Sequence, residues 1–171
     1  SYIDENNPLT ISACDMGIIF DYKKFNDLME NKKVDIIVWG CRGYPGAIKN
    51  PNMYGWIIEE NNSVKKISVK KNLNNPKTDP CVIGTFTFKK ASYFNNSAEM
   101  LIKRKKKVNN EYYVDSCIDE AISLGLNVVL LEVNFFLCWG TPNDLSTYKY
   151  WQDCFNDCNF HPYKKKLDKD F

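Results

Sequence analysis

Phe135-Phe136-Leu137-Cys138-Trp139-Gly140-Thr141-Pro142-Asn143-Asp144-Leu145 reads as a buried strand that ends, turns at Gly140 and restarts as a helix. Thr141 has the side chain of an N-cap. Pro142 falls at the first helical position, where its missing N–H costs nothing. Such a turn gathers backbone N–H groups and a helix N-terminus beside the carboxyl end of a strand. In α/β proteins ligands, phosphorylated ones above all, bind at such places. Spacing alone favours an ordinary β-α connection.

The rest of the chain bounds what this turn can belong to. At 171 residues, with 44% hydrophobic and 26% charged residues, it has the length and composition of one soluble globular domain. A net charge of +2 is near neutral and argues for no particular partner. The basic run Lys103-Arg104-Lys105-Lys106-Lys107 has no interleaved aromatic residues and reads as a solvated helix end, so no nucleic-acid partner is expected. No apolar run is long enough to span a bilayer and no secretory leader is recognisable, so no membrane partner is expected. The seven cysteines lie mostly in apolar runs, which suggests reduced, buried thiols and a cytoplasmic location. Cys154, Cys158 and His161 could hold zinc, although their spacing matches no common zinc pattern.

Taken in order, Leu9 to Cys14 reads as a strand with Asp15 at its carboxyl end, where an acid can hold a divalent cation. Asp21 caps a helix to about Glu30, with Tyr22, Phe25, Leu28 and Met29 facing inward. Val34 to Cys41 is a nearly continuous apolar run and reads as a central strand. A Gly- and Pro-rich loop follows, from which Arg42 and Lys49 could reach a phosphate. Met53–Glu59 and Val64–Lys70 form a hairpin, with Gly55 inside its first strand. Cys81–Phe88 is a strand with Gly84 in its interior; both glycines suggest close approach of a ligand or of backbone. Ala91–Lys107 and Glu111–Leu124 read as helices, Asn127–Leu137 as one long strand, and Thr141 to about Asp157 as the closing helix. Residues 1–158 form the domain and 159–171 a polar tail. The expected architecture is α/β with a mixed sheet.

Six stretches in this order resemble the sugar-1-phosphate nucleotidyltransferases, the nucleoside-diphosphate-sugar pyrophosphorylases. They are Leu9-to-Asp15 before a helix, Tyr54-Gly55-Trp56, Val69-Lys70-Lys71, Ile83-Gly84-Thr85-Phe86, Glu111-to-Asp115 and Trp139-Gly140-Thr141-Pro142. The resemblance covers about residues 8–155. It implies a Rossmann-like three-layer sandwich, and transfer of a nucleotidyl group from a nucleoside triphosphate to a sugar 1-phosphate, giving a nucleotide sugar and pyrophosphate with magnesium. By the same resemblance Asp15 is the metal-binding acid and Lys71, or Lys70, holds the sugar's phosphate. Tyr54, Gly55, Gly84, Thr85 and Glu111 line the sugar pocket, and Trp139, Gly140 and Thr141 form its closing wall.

Two departures qualify it. Nothing like the family's glycine-rich nucleotide loop precedes Ser1, so the chain is expected to be the C-terminal portion of a longer protein, incomplete on the N-terminal side of its sheet. An exposed apolar sheet edge would favour a homo-oligomer. Many members also carry a second metal-binding Asp where this chain has Cys138, and a neutral thiol is a poor magnesium ligand. A non-catalytic domain that binds or senses a nucleotide sugar is therefore the alternative. A glycosyltransferase of similar topology would need a second acid beside Asp15, which Cys14-Asp15-Met16-Gly17 lacks.

Overall fold

A computed structural model describes residues 3–69 and 75–167. The chain divides into two compact units. The larger takes the segment through Ala13 and Ile18–Phe136; the smaller takes Cys14–Gly17 and the segment from Leu137 onward.

The larger unit is built on a six-stranded sheet. Its strands are β1 (Leu9–Ser12), β3 (Ile36–Cys41), β4 (Trp56–Glu60), β5 (Ser63–Ser68), β6 (Cys81–Phe88) and β7 (Val128–Glu132), in the order β1-β6-β3-β7-β5-β4. β3 and β7 run parallel, and the other pairings are antiparallel, so the sheet is mixed as expected. All six residues of β3 are buried, which explains its lack of polar alternation. One face of the sheet carries Val38, Phe86, Phe88 and Leu130. It packs on Ile118 and Ala121 of α4 (Val114–Ser123), and Phe94 of α3 (Ala91–Lys103) lies against Phe88. Each such buried side chain contributes about 1.5–3 kcal/mol. The opposite face carries Trp39, which packs against Phe20 and against Phe25 of α1 (Tyr22–Glu30) and donates to Thr87 Oγ1 at 3.1 Å. Helices thus cover both faces, giving the three-layer sandwich.

Several local readings are corrected. Among the described residues β1 pairs with β6 alone and lies at the sheet edge. Tyr22 is 68% exposed and turns away from the core that takes Phe25. The loop after β3 contains a short helix, α2 (Pro45–Lys49), started by proline. Gly55 stands just ahead of β4 rather than inside it. α3 ends at Lys103 because Lys105 enters the left-handed region at φ 52°. α4 begins three residues after Glu111, since Asn109 and Asn110 at φ 49° and 67° make a tight turn that pairs Val108 with Glu111.

The basic run is also more than a solvated helix end. Arg104 and Lys106 each stand 2.6 Å from the carboxylate of Glu120, which is fully buried. A buried carboxylate needs such partners to offset its desolvation.

The apolar run from Asn127 to Leu137 is two strands. β7 ends at Glu132, and β8 (Phe135–Cys138) pairs with β2 (Met16–Ile19) in a separate two-stranded sheet. The handover is visible in the backbone: Val133 N–H still donates to Gly40 O of β3, whereas Asn134 N–H donates to Ile19 O, both at 2.9 Å. β8 is accordingly not the buried strand its composition suggests, since Phe135 is 67% and Leu137 51% exposed. β2 had no recognisable sequence signal.

The smaller unit centres on α5 (Pro142–Asp157). The segment after it folds back: Gln152 donates to the Tyr163 hydroxyl at 3.1 Å, and Lys164 Nζ donates to the Asn156 and Cys158 carbonyls at 3.0 Å. All seven cysteines are free. Cys41, Cys81 and Cys117, in the larger unit, are buried, while Cys14, Cys138, Cys154 and Cys158, in the smaller, are exposed or half-buried. Cys41 and Cys81 face each other in register across β3 and β6, sulfur to sulfur at 3.4 Å. Among the described residues no helix is long and apolar enough to cross a membrane.

Candidate active site

An open pocket of about 360 Å³ lies wholly within the larger unit. It forms where the end of β1, β6 between Val82 and Phe86, the residues before β4 and the first turn of α4 converge. Gly84 adopts φ 79°, and a Cβ on it would come within 3.2 Å of the Ala13 Cβ. Its carbonyl accepts from Ala13 N–H at 3.0 Å, which fastens the end of β1 to β6. Gly55 is closed off differently. Its carbonyl accepts from Val82 N–H at 2.8 Å, and a Cβ on Gly55 would lie 2.8 Å from Asp115 Oδ2 and 3.4 Å from a Val82 methyl. A glycine here lets the Asp115 carboxylate lie against the backbone, inside the pocket. Asp115 sits in the first turn of α4, where the helix dipole favours a negative charge.

A second constellation lies in the smaller unit. Trp139 N–H donates to Asp15 O at 2.8 Å, and Gly140 N–H points at Cys138 Sγ at 3.4 Å. A Cβ on Gly140 would lie 2.8 Å from Asp15 Oδ2. Thr141 caps α5 as read from the sequence: its hydroxyl accepts from Asp144 N–H at 3.1 Å and donates to the Asp144 carboxylate at 2.7 Å. Trp139 packs on Tyr148 one turn into the helix, with ring centroids 5.2 Å apart.

The expected site residues are therefore distributed unevenly. Tyr54, Gly55 and Gly84 line the pocket. Thr85 lies beside it, buried, with its hydroxyl 3.0 Å from that of Ser12. Glu111 is exposed and accepts a hydrogen bond from the Tyr113 hydroxyl; the carboxylate that lines the pocket is that of Asp115. Asp15, Trp139, Gly140 and Thr141 belong to the second constellation, with Asp15 exposed to solvent. Lys70 and Lys71 lie outside the described residues. Arg42 is committed elsewhere, to Glu59 at 3.1 Å, Glu132 at 3.2 Å and the Thr78 carbonyl at 2.6 Å. His161 stacks on Phe155, and its Nδ1 accepts from Tyr163 N–H at 3.1 Å. Among the described residues no three His, Cys, Asp or Glu side chains are grouped to hold a metal ion.

The sequence reading passed over Asp115, Ser12, Ala13 and Val82 as pocket residues. The signal for Asp115 was its place one turn beyond Glu111 at the start of a helix. The others are neighbours of the two glycines.

No family model and no curated protein matches the sequence. Solved structures do. A nucleoside-diphosphate-sugar pyrophosphorylase from Vibrio cholerae superposes with a TM-score of 0.63 at 16% identity, over 85% of this chain and 57% of that one. The fold is that of the nucleotidyltransferases. An apo UDP-glucose pyrophosphorylase gives 0.62 at 17% identity, over 87% of this chain and 56% of its own. The inositol-1-phosphate CTP transferase of T. maritima gives 0.59 at 13%, over 88% and 56%. The chain thus spans little more than half the length of the nucleotidyltransferases it matches.

Proposed function

We propose that this chain supplies the sugar-phosphate half of a sugar-1-phosphate nucleotidyltransferase, an enzyme that makes a nucleotide sugar and pyrophosphate from a nucleoside triphosphate and a sugar 1-phosphate. The observation that carries the reading is the pocket between Gly55 and Gly84. Gly84 lets the end of β1 close against β6 at Ala13, Gly55 lets the Asp115 carboxylate lie against the backbone, and the open pocket between them would take a sugar ring whose hydroxyls face that carboxylate. Tyr54 would flank the ring, and Lys70 or Lys71 would hold the phosphate.

The reading includes magnesium, and the residues present fit it. Asp15 offers an exposed carboxylate beside a glycine, so a hydrated ion meets no side chain from position 140. Magnesium is commonly held by one or two carboxylates together with substrate phosphates and water, so Asp15 suffices without a carboxylate at Cys138. When bound, the ion would neutralise phosphate charge during in-line displacement. The protein's own part is positioning: the pocket fixes the sugar so that its phosphate oxygen is aligned for attack.

The test is pyrophosphate release from a panel of nucleoside triphosphates and sugar 1-phosphates by the protein that carries this chain, with magnesium. Turnover with at least one pair is expected. Nucleotide-sugar binding without turnover on any pair would instead favour the sensing domain, the reading that Cys138 motivates.

A further inference from the structure

We propose that Cys41 and Cys81 are a reversible oxidation site, which a peroxide converts to a disulfide within the folded chain. Cys41 is the last residue of β3 and Cys81 the first of β6, and the two are direct partners in the antiparallel register. The Cα atoms of such partners stand about 4.5–5.5 Å apart, inside the span of about 4.4–6.8 Å that a disulfide bridges. The two sulfurs already face each other at 3.4 Å. Bonding needs them to approach by about 1.4 Å, at strand ends where the chain can give. The backbones run close here too, since a Cβ on Gly40 would lie 2.9 Å from the Cys81 carbonyl.

The pair is also disposed for the chemistry. Its hydrogen bond lowers the pKa of Cys81 and raises that of Cys41, which burial raises further. Cys81 is thereby the sulfur that carries thiolate, the nucleophilic form. A peroxide is close to water in size and enters when the strand ends fray, an opening too small for a bulky reagent. The Cys81 thiolate attacks one oxygen of hydrogen peroxide. The O–O bond breaks, and the leaving hydroxide takes the Cys41 proton to become water. The Cys41 thiolate then attacks the Cys81 sulfenic sulfur, forms the S–S bond and expels a second hydroxide, which solvent protonates. Two thiols are oxidised and one peroxide is reduced to two waters. The bond closes the base of residues 42–80, the segment that brings Tyr54 and Gly55 to the pocket. Cys81 lies between two backbone hydrogen bonds that hold this segment, Ile57 N–H to Pro80 O and Val82 N–H to Gly55 O, both 2.8 Å. Oxidation adds a covalent tie at the same point.

Cys117 supplies a comparison within the same molecule. It is buried too, but its thiol faces the Tyr113 carbonyl at 3.8 Å, and burial pushes it up to about 11. The test blocks the open cysteines of the native chain with N-ethylmaleimide and then adds excess hydrogen peroxide. The remaining thiols are alkylated in denaturant with iodoacetamide before peptide mass spectrometry. The expected result is a peptide pair joined through Cys41 and Cys81, with Cys117 alkylated and both thiols recovered after dithiothreitol. The oxidised chain should unfold about 5–10 °C above the reduced one. Full alkylation of Cys41 and Cys81, their sulfinic or sulfonic acids without a link, or a link that leaves the melting temperature unchanged would overturn the proposal. In Cys41→Ser peroxide should produce neither the link nor the thermal gain, and a gain there would count against it. The measurement on the native chain decides whether or not that variant folds.

Discussion

The molecule uses one device twice. In the larger unit a Cβ on Gly55 would stand 2.8 Å from an oxygen of Asp115, and in the smaller a Cβ on Gly140 would stand 2.8 Å from an oxygen of Asp15. In each pair the glycine makes room for a carboxylate beside the main chain. The surroundings differ. Gly55 is buried and Asp115 half-buried, next to a Val82 methyl and at the start of a packed helix. Gly140 and Asp15 are both exposed. A fenced carboxylate reads the pattern of hydroxyls brought to it. An open one keeps its water and suits a cation that also keeps its own. On the proposed reading, the same local geometry would serve recognition in one place and charge neutralisation in the other.

The largest expected effect breaks that pairing of roles. Asp15→Asn should lower nucleotidyl transfer by about 100-fold or more while sugar 1-phosphate affinity and thermal stability stay unchanged. Loss of sugar affinity with transfer intact would reverse the assignment of the two acids. Next, the two glycines should respond unequally. Gly55→Ala pushes the Asp115 carboxylate out of a confined place and should cost about 1–2 kcal/mol, together with sugar affinity. At Gly140→Ala the tip of Asp15 can swing into solvent, so the loss should stay within about 0.5 kcal/mol. Chemical denaturation of the two variants reads the difference, and equal losses would remove the contrast.

The helix starts sharpen it further. Thr141→Ala removes the hydroxyl that accepts from Asp144 N–H and should cost about 1 kcal/mol of α5 stability. The corresponding residue of α4, Tyr113, makes no side-chain cap, so Tyr113→Phe should leave helix stability unchanged.

The smallest effect concerns a third aspartate. Burial raises the Asp119 carboxyl above its ordinary value, against the opposing influence of the Ile67 N–H, Lys66 and Lys106; nearby Glu120 adds a smaller upward push. A raised acid favours the protonated form in the folded chain. Its contribution to stability is therefore present below the unfolded value, near pH 4, and is lost as pH rises through the folded one. Stability measured from pH 3 upward should lose a small downward component in Asp119→Asn. An unchanged pH profile would mean that burial does not govern this group.

What could be read from the sequence follows from how local each signal is. β6 ran from Cys81 to Phe88 in both reading and structure, because the run is apolar, short and bounded by Pro80 and two lysines. The cap at Thr141 with Pro142 behind it was legible because capping is decided within four residues. β2 was not, since Met16–Ile19 gains its partner only from a segment more than a hundred positions away. The break after Glu132 was hidden for the same reason: a change of partner strand leaves no mark in composition. In the pocket the glycines announced close approach, but not what approaches. Gly55 could be singled out; that Asp115 lies against it depends on how α4 packs on β5 and β7.

The thiols carry a practical consequence. Every cysteine of the larger unit is buried and every one of the smaller is at least partly open. An alkylating reagent therefore works as a two-hand clock. Cys14, Cys138, Cys154 and Cys158 label while the chain is native, and Cys41, Cys81 and Cys117 label only when the sheet and the helices packed on it open. The opening of one unit can thus be timed independently of the other, in the untouched sequence and without any introduced probe.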